Sequence, residues 1–149
     1  MVSIVRGDLL EAAVPYICQQ VNCQGVMGAG LARQIKDKWP HVYERYRELC
    51  EKKKQKQSLL GTVQIVNGRF GSPTVINIFG QFEFGHNGVY TDYSALTRAF
   101  NDLNKRFAGK TLAFPYGFGC GLAGGEWTDV EMMMVKLLPN CDVQIYMKG

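Results

Sequence analysis

The fold of this chain depends on the stretch Val21-Asn22-Cys23-Gln24-Gly25-Val26-Met27-Gly28-Ala29-Gly30-Leu31-Ala32. It begins with apolar residues typical of a strand, passes through small and polar residues, and enters a helical pattern at Leu31. Glycines in such a loop let the backbone approach a ligand closely. The first turn of the helix offers free N–H groups at the positive end of its dipole. The stretch therefore predicts a strand, a phosphate-binding loop and a helix N-terminus.

A second stretch of the same kind lies near the other end of the chain: Tyr116-Gly117-Phe118-Gly119-Cys120-Gly121-Leu122-Ala123-Gly124-Gly125-Glu126-Trp127. It also lies between a predicted strand and a predicted helix. Two glycine loops in this setting indicate a site that holds one phosphate-bearing ligand from two sides.

The composition is that of one domain with a proper core. The chain has 149 residues, of which 46% are hydrophobic, and this length is typical of a single domain. Its net charge of +4 favours anionic ligands in general. A nucleic-acid interface requires clustering of that charge along one face, which the total alone does not establish.

The cysteines indicate a reduced, intracellular protein. There are five of them, with no CxxC spacing and only His41 and His86 beside them, so we expect neither a zinc site nor any other metal site. No apolar run is long enough to cross a membrane, and the N-terminus has no signal-peptide pattern. We therefore expect a soluble, cytoplasmic protein that needs no cofactor and has no membrane partner.

Strands and helices alternate along the chain, which predicts an α/β domain with helices on both faces of a central sheet. The predicted strands are residues 2–6, 16–21, 62–66, 74–79, 111–114 and 143–147. The predicted helices contain the apolar stripes within residues 31–39, 42–50, 96–107 and 130–138, and residues 9–13 form a short helical turn.

Helix ends are predicted from capping residues. Thr91 or Asp92 is expected to cap the third helix, and Thr128 or Asp129 the last one. The run Glu51-Lys52-Lys53-Lys54-Gln55-Lys56-Gln57 is interpreted as a charged, solvated tail of the second helix. A phosphate-attracting patch is the alternative for this run.

Two familiar phosphate motifs do not fit. The dinucleotide fingerprint G-x-G-x-x-G lacks its third glycine because Arg33 stands there. The triplet Gly109-Lys110-Thr111 is similar to the end of a Walker motif, but Asn104 replaces the first glycine and a strand follows instead of a helix.

Taken together, the motifs resemble those of the macro domain, an ADP-ribose-binding fold. The resemblance covers nearly the whole chain and rests on Arg6-Gly7-Asp8-Leu9, the first glycine loop, and Gly119-Cys120-Gly121-Leu122 ahead of Trp127. It implies a single three-layer α/β/α macro domain, residues 1–149, with a mixed central sheet. The form Met27-Gly28-Ala29-Gly30 is similar to the branch with terminal ADP-ribose protein glycohydrolase, the DNA ADP-ribosyl glycohydrolase antitoxins and the yeast ADP-ribose 1″-phosphate phosphatase.

The resemblance also implies roles for individual residues. Asp8 would accept a hydrogen bond from the adenine amino group, with the Leu9 backbone nearby; a capping role for Asp8 is the alternative. Asn22 would face the distal ribose, which carries the 1″ carbon, unless it is a structural amide. Phe118 and Tyr146 would flank the ribose and the adenine, or belong simply to the core.

The two loops would hold the diphosphate. In the first loop, Met27, Gly28, Ala29 and Gly30 would line the diphosphate and the distal ribose. In the second, Gly119, Cys120, Gly121 and Leu122 would surround the diphosphate with backbone N–H groups. Cys120 is interpreted as a small residue and not as a reactive thiol.

The chain departs from the glycohydrolases of this branch at their catalytic lysine. Those enzymes use a lysine in the loop after the buried strand, and the protein-directed one pairs it with an aspartate after the second glycine loop. Here the loop after the buried strand reads Phe79-Gly80-Gln81, and Ala123-Gly124-Gly125 stands where that aspartate would be expected. We therefore expect no covalent lysine intermediate. Gln81, with Asn22, is the predicted catalytic residue, and it would orient a ribose hydroxyl or a water near C1″.

Two classes of function stay open. The chain is either a hydrolase acting at C1″ of an ADP-ribose derivative or a non-catalytic ADP-ribose-binding module. Asp92, Glu83 and His86 are the available acids and bases, although His86 is more typical of a surface loop. The expected partner is ADP-ribose or an ADP-ribosylated small molecule, protein or nucleic acid, bound by a monomer.

Overall fold

Six strands form one sheet in the order β1-β6-β5-β2-β4-β3 in the computed structural model, which describes all 149 residues. The strands are β1 Val2–Arg6, β2 Tyr16–Val21, β3 Val63–Val66, β4 Thr74–Phe79, β5 Thr111–Pro115 and β6 Asp142–Met147. Neighbouring strands are parallel except for β3 and β4, which form an antiparallel hairpin. The predicted mixed sheet is confirmed.

Four helices connect the strands. They are α1 Gly30–Lys38, α2 Pro40–Lys52, α3 Tyr93–Arg106 and α4 Trp127–Leu137, with 3-10 turns at Leu9–Glu11 and Lys56–Leu59. Pro40 divides α1 from α2 because proline has no N–H to continue a helix and is best placed in the first turn of the next one. None of the helices combines the length and the apolar character that a membrane span requires.

The core lies in two layers, one on each face of the sheet. Side chains alternate along a strand, so in β2 Ile17 faces one layer and Cys18 the other. The layer with Ile17 packs under α1 and α2, and the layer with Cys18 packs under α3 and α4. This is the predicted three-layer α/β/α arrangement.

The parallel strands end at one edge of the sheet, and this edge carries the glycine loops. Val21 at the end of β2 pairs with Phe79 at the end of β4, and β5 runs parallel on the other side of β2. Because β3 is antiparallel, it begins at the same edge, where Val63 pairs with Ile78. The connection between α2 and β3, residues 53–62, therefore also lies at this edge.

Two predicted helix ends need correction. Asp92 caps α3 through its Oδ1, which accepts from the N–H of Ala95 at 3.0 Å, but neither Thr128 nor Asp129 caps α4. That helix begins at Trp127, and the N–H of Glu126 donates to the Tyr93 hydroxyl at 2.8 Å instead. The charged tail of α2 is also shorter than predicted, since α2 ends at Lys52 and Lys56–Leu59 forms a separate turn.

Candidate functional site

A cleft of about 460 Å³ opens where β2, β4 and β5 end. Its volume is in the range of small-molecule sites, roughly 300–1,000 Å³. The two glycine loops and the loop after β4 form its wall, which contains no carboxylate, lysine or arginine. The only acid or base groups in the wall are the imidazole of His86 and the phenol of Tyr116.

Unpaired backbone N–H groups make this cleft suited to an anion. Of the loop residues that line the cleft, those whose N–H has no protein acceptor are Gly28, Ala29, Gly30, Leu31 and Ala32 in the first loop and Gly117, Gly119, Gly121, Leu122 and Ala123 in the second. The first set includes the N-terminus of α1, where the dipole adds positive potential. The N–H of Cys120 is different, because it donates to the carbonyl of Gly117 at 2.8 Å.

Asn22 lines the cleft and also holds the first loop together. Its Oδ1 accepts from the N–H of Gln24 at 2.9 Å and from the Tyr46 hydroxyl at 2.8 Å, and its Nδ2 donates to the carbonyl of Val26 at 2.8 Å. The Asn22 amide therefore has the structural role that was the alternative interpretation. One Nδ2 hydrogen is left for a ligand.

The predicted loop residues divide between the cleft and the core. Gly28, Ala29, Gly30, Gly119, Gly121, Leu122 and Phe118 line the cleft. Met27 and Cys120 do not: Met27 is 2% exposed in the α1/α2 layer, and Cys120 packs against the α3/α4 layer. The predicted contacts of the Met27 side chain and of the Cys120 N–H with a ligand are therefore not present in this structure.

Asp8, Leu9 and Tyr146 lie outside the cleft wall, at the β1–β6 end of the same edge. Asp8 caps the following 3-10 turn, since its Oδ1 accepts from the N–H of Leu10 at 3.0 Å, and its Oδ2 lies 3.4 Å from Nζ of Lys148. Leu9 is buried in the core, and the ring of Tyr146 lies beside Gly7. None of the three lines the cleft, but the carbonyl of Tyr146 accepts from the N–H of the cleft residue Tyr116 at 2.9 Å.

Gln81 lies in the cleft wall with its amide bonded at both ends. Its Oε1 accepts from Nε2 of Gln20 at 2.9 Å, and its Nε2 donates to the carbonyl of Glu83 at 2.8 Å. Nε2 of Gln20 also donates to Oγ1 of Thr91 at 3.0 Å, and the Thr91 hydroxyl donates to the carbonyl of Gly119 at 2.6 Å. Gln81 is therefore one member of a polar network that joins β2, the connection between β4 and α3, and the second glycine loop.

Of the three predicted acids and bases, only His86 lines the cleft. Asp92 is occupied as the cap of α3, and Glu83 is an exposed residue outside the cleft wall. No cluster of three or more His, Cys, Asp or Glu side chains is placed to hold a metal ion.

The cysteines near the site are not activated as nucleophiles. Burial raises the pKa of the Cys23 thiol to about 12, with a smaller contribution from Cys50. Burial, followed by the charges of Glu126 and Asp129, also raises the pKa of Cys120. All five cysteines are free thiols. The interpretation of Cys120 as a small residue and not a reactive one is consistent with these shifts.

Sequence reasoning missed Gln20, Thr91 and Tyr46. The available signal for Gln20 was the pair Gln19-Gln20 inside a strand whose other members are mostly apolar. Thr91 was considered only as a helix cap, and Tyr46 only as a member of an apolar stripe. Their hydrogen bonds join distant parts of the chain, which local patterns do not show.

Comparison with known proteins agrees with this geometry. A family model described as "Macro domain" matches residues 18–134. The DNA ADP-ribosyl glycohydrolase of Mycobacterium tuberculosis is 31% identical over 155 residues, covering 98% of this chain and 42% of that protein. The ADP-ribose 1″-phosphate phosphatase of Scheffersomyces stipitis is 32% identical over 80 residues, covering 49% of this chain and 46% of that protein. This chain thus spans less than half the length of either relative.

A solved structure shows the same architecture. The macrodomain of Mycobacterium tuberculosis DarG superposes with a TM-score of 0.81 at 28% identity, covering 98% of this chain and 97% of that one. The strand–glycine loop–helix elements of the cleft lie within the part of the chain that the family model matches. The chain belongs to the macro domain family.

Proposed function

We propose that this chain binds ADP-ribose in the cleft and hydrolyses a derivative linked at C1″. The observation that carries the proposal is the pair of N–H rows that line a cleft without a charged side chain. Such a site suits a diphosphate, which backbone donors can surround without the reorganisation of a flexible lysine. The names of the two relatives support both the ligand and the reaction.

The order of strands sets the direction of the ligand. Asp8 follows β1 and Gln81 follows β4, and four strand spacings separate β1 from β4 in the sheet. At about 4.8 Å each, they place the two residues roughly 19 Å apart. An elongated ligand would extend from an adenine near Asp8, across the glycine loops, to a distal ribose near Asn22 and Gln81.

Catalysis in this proposal depends on positioning. Neutral amides cannot act as nucleophile or as effective base, so Gln81 and Asn22 would orient a ribose hydroxyl or the water that attacks C1″. The bond between C1″ and its substituent breaks as the water adds, and the departing group takes the electron pair. The N–H rows hold the diphosphate fixed during the step.

A non-catalytic ADP-ribose-binding module is the second candidate. The observation that favours it is the lack of a carboxylate or lysine in the cleft wall. Only turnover separates the two functions, because both predict ADP-ribose binding.

Charge indicates a nucleic acid as the group attached at C1″. Residues 30–72 contain ten lysines and arginines and four acidic residues, a net charge of +6, while the whole chain carries +4 and the remainder therefore −2. This net positive charge supports the phosphate-attracting alternative for the lysine run.

The lysine run lies beside the predicted ribose end of the cleft. Lys52, Lys53, Lys54 and Lys56 form no ion pair. They follow Cys50, whose Cβ is 3.4 Å from the place a Cβ on Gly25 would take in the first glycine loop. A phosphate backbone attached at C1″ would therefore pass close to these lysines. We propose, in addition, that the protein acts as a monomer in the cytoplasm, with its five thiols reduced.

The test is turnover on a panel of C1″ derivatives. ADP-ribose 1″-phosphate, acetyl-ADP-ribose and ADP-ribosylated DNA or protein are incubated with the wild-type chain and with Gln81→Ala. We expect the wild type to release ADP-ribose from at least one of these substrates, and Gln81→Ala to do so at a rate roughly ten- to a hundredfold lower with similar ADP-ribose binding. Borohydride should trap no adduct. Binding without turnover on every substrate would favour the non-catalytic module.

A further inference from the structure

We propose that Gln20 is the positioning residue of this site, because one side-chain amide fixes Gln81 and the second glycine loop relative to each other. Its kinetic consequences rest on the function proposed above, whereas its structural consequences do not. Gln20 is the penultimate residue of β2, and it lines the cleft.

The first link of Gln20 is to Gln81. Both hydrogens of its Nε2 are used, one on Oε1 of Gln81 at 2.9 Å and one on Oγ1 of Thr91 at 3.0 Å. Since Gln81 also donates to the carbonyl of Glu83, its amide cannot turn without breaking a hydrogen bond. One lone pair of Gln81 Oε1 then remains for a hydroxyl or a water of the ligand.

The second link passes through Thr91 to the glycine loop. Thr91 is 6% exposed, and its hydroxyl donates to the carbonyl of Gly119 at 2.6 Å. The backbone N–H of Thr91 donates to the carbonyl of Ala123 at 3.1 Å, so Thr91 contacts the loop near both ends. Any displacement of Gln20 is therefore transmitted to the loop with the free N–H groups.

Two glycines make room for the Gln20 amide. Its Oε1 is buried without a hydrogen-bond partner and lies against Gly80 and Gly119. A Cβ on Gly119 would be 3.0 Å from this oxygen, and a Cβ on Gly80 would overlap it and the side chain of Leu96. Turning the amide over would place its oxygen against the acceptor oxygen of Gln81, so the observed orientation is the favoured one.

Gln20 also limits which residues can occupy position 80. While its amide occupies the space beside Gly80, no residue with a Cβ fits there without displacing Gln20 or the fully buried Leu96. The loop after β4 is thus built around glutamine, and a lysine at Gly80 would disrupt the network instead of joining it.

The test compares variants that remove single links. Gln20→Met keeps the length of the side chain without its amide, and Thr91→Val keeps the shape of the side chain without its hydroxyl, whereas Thr91→Ser restores that hydroxyl. Gln64→Met is the matched control, because it removes a β3 amide whose partners, Asn77 and the carbonyl of Arg45, do not line the cleft. Asn77 in turn accepts from Nε2 of the cleft residue Gln19, so this control also measures the effect of disturbing a neighbouring buried amide.

The first measurement is NMR of the free protein, which needs no ligand. We expect Gln20→Met to shift the side-chain amide of Gln81 and the backbone amides of residues 119–123 together. Thr91→Val should shift the loop amides, and Thr91→Ser and Gln64→Met should leave both sets in place. Unchanged loop amides in Gln20→Met would overturn the proposal, whatever the ligand of the site is.

The second measurement is ADP-ribose affinity and turnover. Gln20→Met should weaken affinity about tenfold and lower kcat by roughly ten- to a hundredfold, while Thr91→Val should act mainly on affinity. The double variant, Gln20→Met with Thr91→Val, should bind ADP-ribose no more weakly than Gln20→Met alone. Both changes break the same series of hydrogen bonds, from Gln20 through Thr91 to Gly119. A Gln20→Met protein that only melts earlier, as we expect of Gln64→Met, would overturn the proposal. Failure of the wild type to bind ADP-ribose would refute the proposed function, and the NMR result would still decide the role of Gln20.

Discussion

Asp8 shows how one side chain can serve a structural role and still be available to a ligand. The pKa of its carboxyl is lowered, first by the hydrogen bond from the backbone N–H of Leu10 and then by Lys148. At neutral pH the group is therefore ionised and can accept hydrogen bonds but not donate them. The cap uses Oδ1, while the only side-chain partner of Oδ2 is the amine of Lys148 at 3.4 Å. A purine amino group would be received by Oδ2.

Substitution of Asp8 should separate the two roles. Asp8→Ala should reduce affinity for ADP-ribose about tenfold, because the acceptor for the amino group is lost. It should also narrow the difference in affinity between ADP-ribose and its inosine analogue. Asp8→Asn keeps an acceptor for the cap but can place an N–H donor towards the purine. Asp8→Asn should therefore narrow the difference in affinity between the two ligands without the loss of stability that removal of the cap would cause. Calorimetry with both ligands measures this, and an unchanged gap in both variants would show that Asp8 is only a cap.

At the scale of the residue, backbone-based roles were easier to predict than side-chain directions. The four predicted glycines line the cleft, since their placement follows from the strand and helix on either side; they are Gly28, Gly30, Gly119 and Gly121. Met27 stands among them in the sequence but is directed into the core. The direction of its side chain depends on packing against the α1/α2 layer, and the local sequence alone does not predict this packing.

At the scale of the element, α2 supports the first glycine loop. The Tyr46 hydroxyl lies 2.6 Å from the carbonyl of Asn22 and 2.8 Å from its Oδ1. Tyr46 is fully buried, and burial raises its pKa, so it stays a neutral phenol. The position of Asn22 therefore depends on a helix that contributes nothing to the cleft wall itself.

Removal of this hydroxyl should loosen the loop. Tyr46→Phe should lower the free energy of unfolding by about 1–2 kcal/mol, because Asn22 loses a buried hydrogen-bond partner. It should also weaken ADP-ribose binding severalfold. Urea denaturation and calorimetry measure the two effects. Tyr43→Phe on the same helix is the control, since the Tyr43 hydroxyl makes no hydrogen bond in the protein. Equal behaviour of the two variants would show that α2 does not support the site.

Elements were predictable where their signals are local. Strand β4 is a run of apolar residues, and α3 has both an apolar stripe and a capping Asp92. The start of α4 was not predictable, because Tyr93 fixes the N–H of Glu126 from 33 residues away. The Gln20 network was missed for the same reason, because its members lie on β2, on the connection between β4 and α3, and on the second glycine loop.

At the scale of the whole molecule, the charge distribution predicts how the substrate is chosen. The free lysines of residues 52–56 lie at the cleft edge of the sheet, whereas Lys105 at the end of α3 and Lys110 at the start of β5 lie at the opposite edge. Electrostatic attraction to phosphates acts over about 10 Å at 0.1 M salt, so only the first group can assist a strand attached at C1″.

Charge reversal at each edge tests this selection. Lys53→Glu with Lys54→Glu should raise KM for an ADP-ribosylated oligonucleotide about tenfold or more, and should reduce its dependence on salt. The same pair should leave KM for ADP-ribose 1″-phosphate nearly unchanged. Lys105→Glu with Lys110→Glu has the same net charge and serves as the control. Equal effects of the two pairs would assign the result to net charge, and no effect of either would exclude a nucleic-acid partner at this edge.

The most direct test of the cleft as an ADP-ribose site is calorimetry of three proteins: the wild type, Gly30→Glu and Gly71→Glu. Both glycines have positive φ, 57° and 82°, and open space at their Cβ positions, so both substitutions add similar strain and the same charge. Gly30 lies in the first glycine loop, and Gly71 in the hairpin at the opposite edge. We predict a micromolar Kd, roughly −8 kcal/mol, for the wild type and for Gly71→Glu, and no binding for Gly30→Glu. No heat with the wild type, or equal binding by all three proteins, would contradict an ADP-ribose site in this cleft.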